Sequence, residues 1–78
     1  MTNRKYQMTQ AKLQVLCAEL KHRVEVDRLI IAERLKAAIE RGNLAHNADY
    51  HSTKALQGWI EGRIYEVQEM ISNGDIIE

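Results

Sequence analysis

Glu40-Arg41-Gly42-Asn43-Leu44-Ala45-His46-Asn47-Ala48-Asp49-Tyr50 is the stretch whose reading decides the fold of this 78-residue chain. Upstream of it, Leu13, Leu16, Leu20, Val24, Ile31, Leu35 and Ala38 follow one another at steps of 3, 4, 4, 7, 4 and 3, the seam of a coiled-coil helix, interrupted only at Asp27. Downstream, Leu56, Ile60, Ile64, Val67 and Ile71 recur at 4, 4, 3 and 4. Between the stripes, Arg41 suits the carbonyl end of a helix dipole, Gly42 supplies a positive φ, Asn47 is a strong N-cap and Asp49 sits in a first turn. The quoted residues therefore form a tip, 42–47, short enough to force the two helices into antiparallel neighbours.

The predicted fold is all-α, a long antiparallel two-helix coiled-coil hairpin over residues 9–74. The first helix runs from about 10 to 41, capped by Thr9 without a capping box, because Lys12 stands where Glu or Gln would be needed. The second covers about 48–72 and ends at Asn73-Gly74. At 1.5 Å per residue they measure roughly 48 and 38 Å. Residues 1–8 are expected to be a frayed or lightly docked lead-in, and 75–78 a β-prone run that begins a strand or a linker. Gly58 and Gly62 lie four apart on one helix face and read either as a close approach or as tolerated accidents. Trp59 beside them covers the seam or sits in an interface.

Composition narrows the function. With no proline or phenylalanine, 45% apolar and 28% charged residues, the chain is one small domain, too short to enclose a deep pocket. Its work is performed on another molecule. Eleven basic residues balance eleven acidic ones, but through Arg41 the count is nine against five and beyond it two against six, giving +4 and −4. The halves attract each other, which reads either simply as favouring antiparallel pairing or as a basic first half that faces a phosphate backbone. The single Cys17, flanking the seam, is expected to be a buried structural thiol, and an intracellular, cytoplasmic setting is expected. No apolar run reaches the roughly 20 residues of a membrane span. His46, Asp49 and His51 do not align as a transition-metal site, and Ser52 and His51 are adjacent rather than facing, so neither a resident metal nor a nucleophilic enzyme is expected.

Gly42-Asn43-Leu44, Asn47-Ala48-Asp49-Tyr50-His51 and Gln57-Gly58-Trp59-Ile60-Glu61-Gly62-Arg63-Ile64, in this order after a long amphipathic helix, resemble the N-terminal coiled-coil domain of the bacterial Gre transcript-cleavage factors (GreA/GreB). The similarity extends from about Met8 through Ile77. The resemblance implies a two-domain protein whose N-terminal hairpin enters the secondary channel of RNA polymerase. In such factors an acidic pair at the tip helps to hold a second Mg²⁺ in the polymerase's own active site, promoting cleavage of the 3′ end of backtracked RNA. The partners implied are bacterial RNA polymerase and the 3′ end of the nascent RNA, and the domain is an accessory factor rather than an enzyme. It also implies that 75–78 begin the linker to a C-terminal domain, and hence an excised domain or a truncated relative.

The chain departs from that pattern at the tip. Asn43 stands where the family has Asp, and His46 where it has Glu. Mg²⁺ is a hard cation that prefers anionic oxygens; a neutral carbonyl is a weak substitute, and an imidazole is a poor ligand that repels a cation once protonated. Asp49 and Tyr50 match family positions. Asp49 is either a remaining tip acid or a first-turn dipole residue, and Tyr50 either packs the tip or meets nucleotides. Arg41 and Lys54 are the expected nucleic-acid contacts, although Ile39 replaces a basic residue that the family often carries. The expectation is a Gre-type elongation-factor domain deficient in cleavage. The rival is a helical interaction module that dimerises without meeting RNA polymerase, and the isolated domain is open to self-association through Ile76 and Ile77.

Overall fold

The computed structural model of the protein describes residues 6–77. Its first arm is continuous: α1 (Gln10–His22), a π-helical stretch (Arg23–Asp27) and α2 (Arg28–Glu40). A single 3₁₀ turn, Leu44–His46, leads to the second arm, α3 (Ala48–Ser72). The arms lie side by side as a helical hairpin measuring 53 × 26 × 13 Å. Thr9 starts α1 as expected, its hydroxyl accepting from the Lys12 amide at 3.1 Å.

The two stripes meet face to face. Leu16, Ile31 and Ala38 of the first arm and Ile60, Ile64 and Val67 of the second are buried, and Leu13, Leu20, Val24, Leu35 and Ile71 are half-buried along the same seam. A two-helix seam has no third layer to cover it, so apolar side chains beyond this line, such as Leu29, Ile39 and Tyr65, stay exposed. The step from Val24 to Ile31 is seven residues, the spacing that the stripe keeps over two turns without any added residue, and Asp27, which falls between them in the π-helical stretch, is charged. Asp27 accepts from Arg23 Nη1 at 3.2 Å, with His22 Nδ1 at 3.5 Å.

The base departs from an all-helical hairpin. Tyr6–Met8 forms strand β1 and Gly74–Ile76 strand β2, paired in parallel with Tyr6 opposite Gly74 and Met8 opposite Ile76. Residues 6–8 thus take the docked alternative, as a strand, and 75–76 the strand alternative of the β-prone run; residues 1–5 and 78 lie outside the described residues. The reason is packing. Met8 is buried against Leu16 and Val67, with Tyr6, Leu13, Leu20, Met70 and Ile71 around them. Gly74 permits the close approach, since a Cβ there would stand 3.2 Å from the Met70 carbonyl and 3.3 Å from the Met8 methyl.

One further expectation is corrected, and of the readings of the glycine pair one is removed. Cys17 is exposed, because it falls one residue past Leu16 on the solvent side of the seam. Gly58 and Gly62 mark no close approach by the first arm, as a Cβ at either would meet nothing within 4 Å. Trp59 is mostly exposed, its ring stacked under the Arg23 guanidinium at 4.9 Å.

Ion pairs stitch the arms where apolar cover is thin. Arg28 reaches Glu61 through two bonds, Nε to Oε2 at 2.8 Å and Nη2 to Oε1 at 2.7 Å, in the sense expected from the charge of the halves. Glu19 runs against that sense. It accepts from Arg63 Nε at 2.7 Å and Nη2 at 2.9 Å across the arms, and from Arg23 Nε at 2.8 Å along its own. The Arg63 bonds, reinforced by Arg23 against a smaller desolvation penalty, hold the Glu19 carboxyl at about 2, below its ordinary 4.5. A depressed carboxyl contributes stability above its unfolded pKa and loses it as pH falls through the folded one. Glu19→Gln is therefore expected to destabilise the hairpin by on the order of 2 kcal/mol at pH 7. In thermal melts followed by circular dichroism, the gap between the two proteins should close between pH 4.5 and 2; a gap independent of pH would rule out this origin.

Candidate functional site

The tip is built by backbone conformation and one side chain. Gly42 at φ 79° and Asn43 at φ 49°, ψ 61° turn the chain through the left-handed region, which Asn tolerates better than most non-glycine residues. The amides of Arg41 and Gly42 donate to the Ala38 and Ile39 carbonyls, closing the first arm. The His46 amide then donates to the Asn43 carbonyl at 3.1 Å, and the Asn47 amide to that of Leu44 at 3.2 Å.

Asn47 clasps the two arms together. Its Oδ1 accepts from the Tyr50 amide at 3.0 Å, capping α3. Its Nδ2 donates to the Ala38 carbonyl at 2.7 Å and, more weakly, to that of Gly42 at 3.4 Å. One carboxamide thus satisfies a free donor of α3 and adds a second donor to the Ala38 carbonyl, which already accepts from the Arg41 amide. The cap is legible in the sequence but the reach back to Ala38 is not, since it depends on a carbonyl nine residues away that only the closed turn brings near.

Of the residues singled out from sequence, the fold brings together Arg41 and Asp49. They form an exposed ion pair through Arg41 Nη1 and Asp49 Oδ2. The remaining acid of the tip is thereby engaged by a cation of the first arm. Asn43 and His46 are exposed on the turn. Tyr50 is half-buried, its ring meeting that of His51 edge to face at 5.4 Å. Lys54 stands apart, with Nζ donating to Gln57 Oε1 at 2.8 Å. Arg34, which the sequence reading did not single out, shares with Arg41, Asp49, Ser52 and Thr53 a shallow cleft of about 270 Å³ on the flank of the tip. The signal was available, because Arg34 and Arg41 are seven apart and lie on one helix face.

Chemically, this surface is neutral to cationic. Between residues 41 and 54 it carries Arg41, Lys54 and two histidines against the single acid Asp49. Among the described residues no three His, Cys, Asp or Glu side chains are grouped to hold a metal. The donors at the tip, a carboxamide, an imidazole and a carboxylate already paired with Arg41, do not suit Mg²⁺, which calls for several anionic oxygens. No helix of the described residues is long and apolar enough to cross a membrane.

Comparison with known proteins agrees with the residue patterns. The family model described as "Transcription elongation factor, N-terminal" (GreA_GreB_N) matches residues 6–76. Transcription elongation factor GreA of Francisella philomiragia is 40% identical over 78 residues, covering 100% of this chain and 49% of that protein. GreA of Mycoplasma pneumoniae is 43% identical over 75 residues, 96% of this chain and 46% of its own. GreA of Caulobacter sp. strain K31 is 38% identical over 74 residues, 95% and 47%. The chain spans about half the length of these curated relatives.

The clasp at Asn47 yields a direct test. Asn47→Ala removes the cap and the bond to Ala38 and should lower stability by about 1–2 kcal/mol in urea unfolding. Asn47→Asp keeps the cap but sets a carboxylate against the Ala38 carbonyl, so it should recover little of that loss. Full recovery would show that capping alone matters.

Proposed function

The chain belongs to the N-terminal family of the GreA/GreB transcription elongation factors, and on that premise we propose that it acts on the catalytic centre of bacterial RNA polymerase. The two arms pack as an antiparallel coiled coil, which enters the secondary channel and carries residues 43–50 towards the 3′ end of the nascent RNA. The hairpin is an accessory factor with no catalytic group of its own. What supports this reading is the shape that family membership and fold supply together, a finger 53 Å long and 13 Å in its thinnest dimension with an exposed tip.

At its destination this tip acts differently from an acidic one. Asn43 and His46 bring no anionic oxygen to a divalent ion, and Asp49 is held by Arg41. At an effective dielectric of 20, a pair of unit charges 4 Å apart interacts by roughly 4 kcal/mol, so two absent carboxylates beside Mg²⁺ remove most of the attraction that would hold the ion. Arg41 and Lys54 face the RNA phosphates instead. The domain therefore occupies the channel and modulates the polymerase without stimulating transcript cleavage. The observation that carries this reading is the lack of free carboxylates on a tip otherwise shaped for delivery.

Backtracked elongation complexes incubated with the protein should show little 3′ cleavage above background. Asn43→Asp with His46→Glu should raise the rate at least about 10-fold, equivalent to about 1.4 kcal/mol of barrier. Asn43→Asp is compatible with the left-handed backbone at that position. Robust cleavage by the unmodified protein would overturn the proposal, and failure to bind polymerase in a pull-down would favour a self-contained interaction module.

A further inference from the structure

One face of the hairpin carries an uncovered apolar groove of about 580 Å³. Its floor is Ala32, Leu35, Ile39 and Ile60, with Ile39 51% exposed, and it lies away from the tip cleft and from the base sheet. Ala32 and Ile39 flank Leu35, the half-buried residue at the edge of the seam, so the apolar surface of α2 extends beyond the part it spends on α3. The outer rim is charged in a particular order. Lys36 and Glu40, one turn apart, line it, and neither is ion-paired with another described residue, whereas Arg28 and Glu61 on the opposite side are engaged with each other.

A helix bearing a cation and an anion one turn apart along the edge of an apolar stripe is complementary to itself turned end for end. About a two-fold axis crossing the groove at the level of residues 37–38, Lys36 of each copy faces Glu40 of the other, and Leu35 and Ile39 of the two copies pack beside the axis. An isologous contact needs this kind of self-matching patch. A partner of single charge sign would leave one of the two rim charges opposed.

We propose that this groove is a homodimerisation surface, α2 packing antiparallel on α2 of a second copy so that two hairpins form a four-helix arrangement. The contact is small and its association weak. The contact doubles the thickness of the finger along α2, next to the tip, so the dimer is the form in which the tip is not delivered.

Sedimentation equilibrium of the 78-residue chain should show reversible monomer–dimer exchange at roughly 0.01–1 mM. Lys36→Glu places like charges opposite each other and should weaken association at least about 10-fold, while Lys36→Glu with Glu40→Lys restores it to within about 3-fold. Both positions are exposed, and unchanged circular dichroism will show that the variants fold. Ile77→Asp, at the base, should leave association unchanged. A monomer throughout the range overturns the proposal, as does a dimer indifferent to the charge swap or abolished by Ile77→Asp.

Discussion

A single carboxamide closes this molecule. Without Asn47 the turn would leave the carbonyl of Ala38 without its side-chain donor and the first amides of α3 uncapped at a point where the two arms must stay in contact. With it, the last turn of one helix and the first of the next are joined through one rigid planar group, and the residues between are held by short-range backbone bonds. The left-handed pair Gly42 and Asn43 makes that geometry accessible. Everything beyond the tip inherits its direction from this corner.

Along the arms the controlling constraint is the thinness of a two-helix seam. Six aliphatic residues are buried along it, and cross-arm ion pairs lie beside them, Glu19 with Arg63 and Arg28 with Glu61. Arg23 belongs to the same network, bonded to Glu19 and Asp27 and laid over Trp59. Arg23 and Asp27 are the two ends of the π-helical stretch, and the seam resumes beyond it at Ile31. At the base, two short strands bury Met8 and close the end opposite the tip.

Much of this was legible in the residues because the relevant interactions are local. Helix caps at Thr9 and Asn47, the stop at Gly42 and the two apolar stripes depend on neighbours within a few positions. What was not legible depends on distant partners. Strand pairing between residues 6–8 and 74–76 joins opposite ends of the chain, and no short window reports it. The exposure of Cys17 turned on one position of helical phase, and the open space around Gly58 and Gly62 on how far the first arm stands away. At the tip, residue types were visible from sequence, but the capture of Asp49 by Arg41 required the turn to be closed.

Function follows from joining a finger-like shape to a tip without free carboxylates. On the proposed reading the family indicates the destination, and Asn43 and His46 decide what arrives there. The most direct measurement places an iron chelate on the tip, at Ala45→Cys in a Cys17→Ser background, and maps hydroxyl-radical cleavage in elongation complexes of RNA polymerase. The account predicts cuts confined to the 3′ end of the RNA and the protein segments around the polymerase catalytic centre. Cuts scattered over the outer surface of the polymerase, or none above free chelate, would contradict it.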